Sequence, residues 1–372
     1  MTTTDEQIAL ISPRFRHFAN EARGSSALYA SLSPEIARDS ELLELLLVAP
    51  PMQRRANLLF AAVHDLLLAE ASYPLARYYP SVDASPIQPD KAAFPAFRDV
   101  CLSNRARLES TMAVRQTQTN EVRRTLAFVP VFQRLAQAGP IALIDVGASA
   151  GLNLLADRYR YRYGDGPWVG AANSPVALQC EIRGARPPLL PSLREIAYRI
   201  GIDTHPLDVS DPEDARWLMA CVWPEQLDRM ERLRAAVSIA RQAPPAIVKG
   251  NALAALEGVL SGIPDGLTIC VLNSAMLFYL SDEDCARFVG LLDRLATPRL
   301  HWLSLEGSAL QTFGARLPFD RLYVPHPDDR PTDIFGLIGY SRWEKGQRQD
   351  RLLGRADMHG KWVEWEADWQ TT

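Results

Sequence analysis

The chain has 372 residues, of which 47% are hydrophobic and 23% are charged, and its formal net charge is −4 at pH 7. This length and composition predict a globular protein with a large core and about two domains. The negative net charge excludes a protein that attracts nucleic acid through its overall charge, although a local basic patch is still possible. Nucleic acid is therefore not indicated as a partner.

The distribution of apolar segments and cysteines predicts a cytoplasmic protein. The amino-terminal residues lack a basic segment followed by an apolar stretch, so no secretory signal is visible. The longest nearly apolar segment, residues 267–280, is too short to span a bilayer, and we expect no membrane association. The five cysteines have no C-x-x-C spacing and the six histidines are scattered, which predicts reduced thiols and no metal site.

Residues 1–136 are predicted to form an all-helical domain, because helical patterns occur from residue 5 onwards and no strand alternation appears. Ser33 is suited to cap a helix and Pro34 to be its first residue, so this pair predicts a helix that begins there and runs to Pro50. Residues 54–70 predict a strongly amphipathic helix. Residues 118–138 predict another helix, kinked or split at Pro130.

Residues 137–372 are predicted to form a second domain with an α/β fold. Apolar strands alternate there with helical patterns, which is typical of a parallel sheet covered on both faces. The tail predicts two antiparallel strands joined by a polar connection that begins at Glu344. The predicted strands are 141–146, 196–203, 246–250, 267–272 and 300–305, followed by 334–343 and 357–366 in the tail.

An excursion at about residues 156–195 interrupts this order. Arginine and tyrosine alternate from Arg158 to Tyr163, so a strand would place three tyrosines on one face and three arginines on the other. Residues 164–167 have turn chemistry and 176–182 predict a return strand, which together indicate an antiparallel insertion. Two interpretations stay open. The insertion is an edge ribbon with a solvated basic face, or it is a rim that recognises an anionic or aromatic substrate.

The segment from Ile141 to Leu155 has the most informative pattern. Four apolar residues precede Asp145, small residues follow at 147, 149 and 151, and an apolar helical pattern then begins. This order predicts a buried strand, a tight turn and a helix start, which would present backbone N–H groups to a ligand. The dinucleotide spacing G-x-G-x-x-G would need its last glycine at Leu152, so a nicotinamide-dependent oxidoreductase is disfavoured.

The same segment resembles the D/E-x-G-x-G-x-G first motif of class I methyltransferases, with Ser149 in place of the middle glycine. The resemblance implies S-adenosylmethionine as cofactor and a Rossmann-like sheet of about seven strands, the last one antiparallel. Asp203 ends the second predicted strand and is the preferred acid for the ribose hydroxyls, with Glu181 as the alternative. The candidate cofactor-binding residues are Asp145, Gly147, Ser149, Gly151, Asp203, Asn251 and Asn273.

Each of these candidates also has an ordinary structural interpretation. Asp145 can cap the turn, and Asn251 can be a turn residue. The catalytic residue is unknown, and Glu121 and His64 are the candidates for a base. Glu121 is equally suited to the first turn of a helix, and His64 lies on an apolar helical face where a buried core histidine is expected.

Five further strings resemble a known family over nearly the whole chain. They are residues 24–29, 53–57 with 61–64, 118–122, 145–153 running into 157–163, and 222–225. They are similar to the bacterial domain-of-unknown-function family 2332, whose methyltransferase-like character rests on the same glycine loop. The resulting hypothesis is an S-adenosylmethionine-dependent methyltransferase that acts on a small-molecule acceptor. The alternative is a non-catalytic ligand-binding or regulatory protein on the same fold.

Overall fold

The computed structural model describes residues 3–187, 189–190, 192–307, 318 and 335–366. Contacts between residues divide the chain into two compact units. The first unit contains Met1–Thr119 and Asp208–Arg234, and the second contains Asn120–Leu207 and Ala235–Thr372. In the described residues, no helix is long and apolar enough to cross a membrane.

The first unit is built from helices. Its two sequence segments are joined by an ion pair between Arg216 and Asp65, whose Nε and Oδ1 atoms lie 2.8 Å apart. Its helices are α1 (Thr4–Ala22), α2 (Ala27–Ile36), α3 (Ser40–Glu44), α4 (Ala56–Ala69), α5 (Ala93–Ser103), α6 (Arg105–Val114), α8 (Pro212–Ala220) and the first half of α9 (Leu227–Gln242).

The predicted helix from Pro34 to Pro50 is wrong. Ser33 lies inside α2, where its hydroxyl donates to the carbonyl oxygen of Tyr29 at 2.6 Å instead of capping a new helix. The next helix begins after Asp39, whose carboxylate accepts from the N–H of Leu42 at 3.1 Å. An aspartate in this position is a favourable cap, and it competes successfully with the Ser-Pro signal six residues earlier.

Two other helical predictions are confirmed. The amphipathic stretch at 54–70 is α4, in which ten residues are buried. The stretch at 118–138 is split just before Pro130, into a 3-10 segment at Val122–Ala127 and the helix α7 (Val129–Ala138). Pro130 lies in the first turn of α7, where its missing N–H costs no helical hydrogen bond.

The second unit contains one sheet with eleven strands among the described residues, not the predicted seven. Its strand order is β3-β2-β4-β11-β10-β9-β8-β7-β1-β5-β6. The strands are β1 (Ile141–Val146), β2 (Arg160–Tyr163), β3 (Val169–Gly170), β4 (Ala177–Gly184), β5 (Tyr198–Asp203), β6 (Ala246–Lys249), β7 (Thr268–Ser274), β8 (Leu300–Gly307), β9 (Phe335–Glu344), β10 (Gln347–Asp357) and β11 (Trp362–Trp365).

The extra strands have two sources. The predicted polar connection after Glu344 is itself the strand β10, which pairs antiparallel with β9. In addition, the strands of the excursion do not form a separate ribbon, because β4 pairs parallel with β11 and so extends the main sheet. The return strand is also not antiparallel as expected. β2 pairs antiparallel with the short β3 on one edge and parallel with β4 on the other.

The order of the parallel strands creates a switch point beside β1. From β1 the chain moves outwards to β5 and β6, then returns to β7 and β8 on the other side of β1. The next strand, β9, is antiparallel to β8. Ligands of open α/β sheets bind at the carboxyl ends of the strands beside such a reversal.

The two faces of β1 have different roles. Ala142, Ile144 and Val146 belong to an apolar core with Phe288 and Leu292 of α11 (Asp282–Arg294) and with residues of α10 (Ala252–Ser261). Because side chains alternate along a strand, Asp145 lies on the opposite face. All six residues of β1 are buried. Asp145 is therefore a carboxyl group inside the sheet layer and not at the solvent surface.

The tyrosines of the excursion lie on one buried face, as their alternation predicts. Tyr159, Tyr161 and Tyr163 are each at most 1% exposed. Each hydroxyl donates to a main-chain carbonyl, at distances of 2.8 Å to Leu152, 2.6 Å to Ala156 and 2.7 Å to Leu126. These bonds satisfy the phenol groups, which would otherwise be costly to bury.

Replacement of Tyr163 by phenylalanine should lower the free energy of unfolding by about 1–2 kcal/mol, because the Leu126 carbonyl then loses a buried partner. Urea denaturation followed by circular dichroism measures this change. Arg162→Gln on the opposite face of the same strand is the matched control, and it should change the stability by less than about 0.5 kcal/mol. An equal effect of the two substitutions would contradict the assignment of faces.

Candidate functional site

The loop after β1 has a left-handed backbone at every second residue. The φ angles are 83° at Gly147, 53° at Ser149 and 71° at Gly151. At Gly147 a Cβ atom would lie 2.5 Å from Cγ of Met276, so this position needs glycine for both its backbone and its neighbour. Ser149 adopts a conformation that is uncommon outside glycine and costs about 1–3 kcal/mol. Strain of this kind occurs preferentially at binding sites.

The expectation that this loop presents free N–H groups to a ligand is wrong. The N–H groups of residues 147–151 are all donated within the protein, at distances between 2.7 and 3.4 Å. The following residues form a 3-10 segment, Leu152–Arg158, and not the expected α-helix. The Ile202 carbonyl accepts from residues 147 and 148. The acceptors for the other three are Asp203 Oδ2 for Ser149, Asn120 Oδ1 for Ala150 and the Ala148 carbonyl for Gly151.

Asp145 has an unsatisfied buried carboxylate. It is 1% exposed, and its Oδ2 atom has no hydrogen-bond partner. The pKa of Asp145 is raised to about 7, chiefly by burial and also by the nearby charge of Asp203, whereas a hydrogen bond with Asn153 and the charge of Arg124 oppose the rise. A buried oxygen without a donor is costly. It marks a place where a cation or another donor would be stabilised.

Asp203 lies on the strand next to Asp145, whereas Glu181 does not. Asp145 is in register with Gly201, and Asp203 follows two residues later on the same face at the carboxyl end of β5. The Asp203 carboxylate accepts from the N–H of Ser149 at 2.7 Å and from the N–H of His205 at 2.8 Å. Glu181 is exposed on β4, and five strands separate β4 from β1.

The two asparagine candidates have structural contacts. Asn251 is the cap of α10, and its amide oxygen accepts from the N–H of Leu253 at 2.8 Å. The amide group of Asn273 is fully buried and lies on the core face of β7, opposite to the face of Asp145. It accepts from Nε1 of Trp302 at 2.6 Å and donates to Glu306 at 2.7 Å.

Glu306 is a site residue that the sequence analysis missed. It lies at the carboxyl end of β8 and is 4% exposed. Its carboxylate accepts from the amide of Asn273 at 2.7 Å, from the N–H of Met276 at 2.9 Å and from the N–H of Leu277 at 3.2 Å. Burial raises the pKa of Glu306, and these donors oppose the rise. The sequence does contain one signal for this residue, because Glu306 is an acid that directly follows the predicted strand 300–305.

Glu306 holds the loop after β7 in a strained shape. Ala275, which directly precedes the two N–H donors, has a φ of 52°. The hydroxyl of Ser274, buried at the end of β7, has no hydrogen-bond partner. Ser274 and Asp145 lie on the same face of the sheet, because Asp145 is in register with Leu272. The switch point therefore has two strained loops and two unsatisfied polar groups.

Arg124 supplies the positive charge of this region. The residue is buried, with 6% of its surface exposed. It donates to the carbonyl oxygens of Met358 at 2.9 Å and Ser274 at 3.4 Å. Its charge lowers the pKa of both Asp145 and Glu306. The cationic side chain of Arg124 therefore lies near the carboxyl groups of Asp145 and Glu306 at the carboxyl ends of the strands.

Asn120 and Glu121 enter the site from the segment before α7. The Asn120 amide donates to the Ser149 hydroxyl at 2.7 Å and so supports the strained residue of the loop. Glu121 is buried, and its carboxylate accepts from the N–H of Arg123 at 3.1 Å, which caps the 3-10 segment at Val122–Ala127. Asn120 therefore supports the loop after β1, whereas Glu121 has the contact of a helix cap.

His64 lies in the first unit and has the contacts of a core histidine. Its Nδ1 atom lies 3.1 Å from the carbonyl oxygen of Ala220, and its Nε2 atom lies 2.7 Å from the hydroxyl of Ser81. Burial lowers its pKa to about 4. The ring is therefore neutral at pH 7, with both nitrogens engaged.

These features define a mixed α/β protein with a large, mostly parallel sheet and a polar cluster at its switch point. The chain belongs to the DUF2332 family, described as uncharacterized protein conserved in bacteria, whose profile matches residues 12–365. A search of curated proteins found no match.

Proposed function

We propose that this protein is an S-adenosylmethionine-dependent methyltransferase that acts on a small-molecule acceptor. The observation that carries the proposal is the buried Asp145 carboxylate, which has an oxygen without a donor at the end of the central strand. An ammonium group of the methyl donor would satisfy that oxygen and stabilise the ionised form of the acid. A carboxyl at this position of the loop is also the first residue of the methyltransferase-like motif.

The charges around Asp145 suit the amino-acid end of the proposed cofactor. That end has an ammonium and a carboxylate, and Arg124 provides the cation that a carboxylate needs. Asp203 suits the ribose hydroxyls, because each of its oxygens accepts one N–H and has a second lone pair available. The loop amides do not take part in this arrangement, since they are donated within the protein.

The sheet order favours the same cofactor class. The five parallel strands β6-β5-β1-β7-β8 are followed by the antiparallel β9. The methyltransferase-like sheet implied by the glycine motif also contains a reversed strand, whereas the dinucleotide-binding order continues with a sixth parallel strand. The four additional strands on the far side of β9 and β10 do not change the order around β1.

The chemistry of such a site is mainly positional. S-adenosylmethionine supplies an activated methyl group on a sulfonium. The residues of this chain would bind the donor, orient it and hold the acceptor in line with it, which alone accounts for a large part of the rate enhancement in two-substrate reactions. Glu121 and His64 both have structural contacts, and we assign neither of them as a base.

Isothermal titration calorimetry with S-adenosylmethionine, and with its demethylated product, tests the proposal. We expect binding of one ligand per chain, and a rise in melting temperature that corresponds to about 2.7 kcal/mol when the ligand is at 100 times its dissociation constant. Asp145→Ala should abolish the heat, whereas Asp265→Ala, at a fully exposed residue, should not. The absence of both heat and protection in the unmodified protein would refute cofactor binding.

The second candidate is a non-catalytic ligand-binding or regulatory protein on the same fold. It is favoured by Asn273, whose amide is engaged by Trp302 and Glu306 rather than directed towards a donor. The two candidates differ in one observable. Incubation with methyl-labelled donor and a broad panel of small acceptors should yield demethylated product for an enzyme, whereas a regulatory protein would bind the donor without converting it.

A further inference from the structure

Three arginines on one face of the sheet are outside the salt bridges of the described residues, although the charge of Arg162 does lower the pKa of the nearby Asp165 carboxyl. Arg160, Arg162 and Arg183 form no salt bridge with any acid in the described part of the chain, although many other arginines there do. Arg160 and Arg162 alternate with buried tyrosines, so they share the solvent-facing side of β2. The register with β4 places Arg183 on the same side, because Arg162 is opposite Gln179.

Each of these arginines lies over an indole ring instead. The guanidinium carbons of Arg160 and Arg162 lie 4.9 and 5.9 Å from the ring centre of Trp168, and that of Arg183 lies 4.2 Å from the ring centre of Trp362. Such contacts fix a planar guanidinium but leave most of its N–H donors unused. The Nε atoms of Arg160 and Arg162 are buried without a hydrogen-bond partner, so the terminal N–H groups of these guanidiniums are the donors that a ligand can reach. We call these five residues the arginine face.

We propose that the arginine face binds single-stranded nucleic acid. This proposal is independent of methyl transfer. Pre-oriented guanidinium groups match phosphate oxygens better than any other side chain. Trp168 is 41% exposed and offers ring surface on which a base can stack. A groove or face that combines cations with aromatic rings is how proteins bind single strands without sequence preference.

The spacing of the arginine face suits a repeating anion. Arg160 and Arg162 are two residues apart on a strand, which separates them by about 6.7 Å along it. Arg183 and Trp362 belong to β4 and β11, the next strands of the sheet after β2, so the face extends over roughly 10 Å across the strands. A single phosphate would contact at most part of this area, whereas a polynucleotide would contact all of it.

The acids of the same face provide an internal control. Glu364 is paired with Arg355 at 2.9 Å, so it contributes little net charge. Glu181 is exposed beside Arg183 and has no salt bridge in the described residues. Its charge opposes the approach of a phosphate. Removal of that charge should therefore strengthen binding, in contrast to removal of an arginine.

Fluorescence anisotropy with labelled 20-mer oligouridine and oligothymidine tests the proposal on the full chain at several salt concentrations. With three phosphate contacts, the logarithm of the binding constant should fall with the logarithm of the salt concentration with a slope of about −2. The triple variant Arg160→Gln, Arg162→Gln, Arg183→Gln should bind at least about tenfold more weakly and lose this slope. Glu181→Gln should bind about two- to fivefold more tightly.

The matched control replaces three exposed arginines elsewhere. Arg38, Arg287 and Arg294 have side chains that are 71%, 62% and 62% exposed and take part in surface salt bridges. The corresponding triple glutamine variant should keep the affinity and slope of the unmodified protein. Circular dichroism and thermal melting show that each variant is folded.

Three results would overturn the proposal. The first is no binding of either oligonucleotide by the unmodified protein at 10 mM salt and protein concentrations of about 100 µM, since non-specific affinities usually exceed this limit. The second is equal affinity and salt dependence of the arginine-face variant. The third is binding of uridine monophosphate as tightly as the 20-mer, which would indicate a site for one phosphate only.

Discussion

Asp145→Asn should make the protein more stable than the unmodified chain at pH 8, by an amount on the order of 4 kcal/mol. Burial raises the pKa of Asp145 to about 7 from an ordinary value of 3.8, so ionisation is far more costly in the folded state than in the unfolded one. Asparagine has nearly the same shape and never ionises. The substitution therefore removes the cost of a buried charge without leaving a large cavity.

The direction of the pH dependence follows from the raised pKa. Between about pH 4 and pH 7 the unfolded chain has lost the Asp145 proton and the folded chain retains it, so the folded state binds more protons. The free energy of unfolding of the unmodified protein consequently falls as the pH rises, by about 1.4 kcal/mol per pH unit within this window. Above pH 7 the loss is complete. The advantage of Asp145→Asn should grow across the same window and then stay constant.

Urea denaturation at pH 5, 6, 7 and 8 measures this difference. Asp203→Asn is informative as a second variant, because the charge of Asp203 is the next cause of the raised pKa after burial. Asp265→Asn, at a fully exposed residue, is the control and should change stability by less than about 0.5 kcal/mol at every pH. If Asp145→Asn had the same effect at pH 5 and pH 8, its carboxyl would not titrate in this range.

The same substitution should abolish binding of the methyl donor. An amide is neutral, so it cannot offset the charge of the ligand's ammonium group as a carboxylate does. A gain in stability together with a loss of binding is the expected result for a residue kept for function, because natural binding sites retain groups that destabilise the empty protein. Calorimetry on the Asp145→Asn variant separates this result from a general disturbance of the fold.

The strands of the central sheet could be predicted because each is a short apolar run. The prediction of 141–146 coincides with β1, and the predicted third and fifth strands differ from β6 and β8 by two residues or fewer at their ends. β1 and β8 are almost entirely buried, so their sequences have few polar residues to obscure the pattern, whereas the edge strand β6 is only partly buried and is recognisable by its short apolar run. The tyrosine and arginine alternation of β2 is equally local, and it is confirmed.

The remaining strands could not be predicted because their partners lie far away in the chain. β10 contains three arginines and two aspartates, and it forms a strand because β9 and β11 pair with it on both edges. The pairing of β4 with β11 joins residues about 180 positions apart. No pattern within either segment specifies such a partner, which is why the sheet was expected to have about seven strands.

The site could be predicted only in part for the same reason. The glycine spacing indicated the loop and the position of Asp145, which depend on neighbouring residues. The acceptor for the Ala150 N–H is Asn120, and that for the Ser149 N–H is Asp203, both distant in sequence. Glu306 was missed because its role depends on the loop after β7, 30 residues earlier.

Glu306→Ala should lower the free energy of unfolding by about 3–5 kcal/mol. The carboxylate accepts three hydrogen bonds from Asn273, Met276 and Leu277, and hydrogen bonds to a charged group contribute about 1.5–3 kcal/mol each. Alanine leaves these buried donors without an acceptor and creates a cavity. The strained backbone at Ala275 is then free to relax, so the loop beside Gly147 should lose its shape as well.

Glu306→Gln separates the hydrogen bonds from the side-chain volume. The Oε1 atom receives two of the three donors, so a glutamine oxygen in this position retains the bonds from Asn273 and Met276. The loss should therefore be clearly smaller than for alanine, about 1–3 kcal/mol, because the N–H of Leu277 then faces an amide nitrogen. Chemical denaturation measures both variants, and hydrogen exchange measures the two loop N–H groups directly. If these two N–H groups exchange as slowly in Glu306→Ala as in the unmodified protein, the loop keeps its conformation without Glu306. The strain at Ala275 would then have another origin.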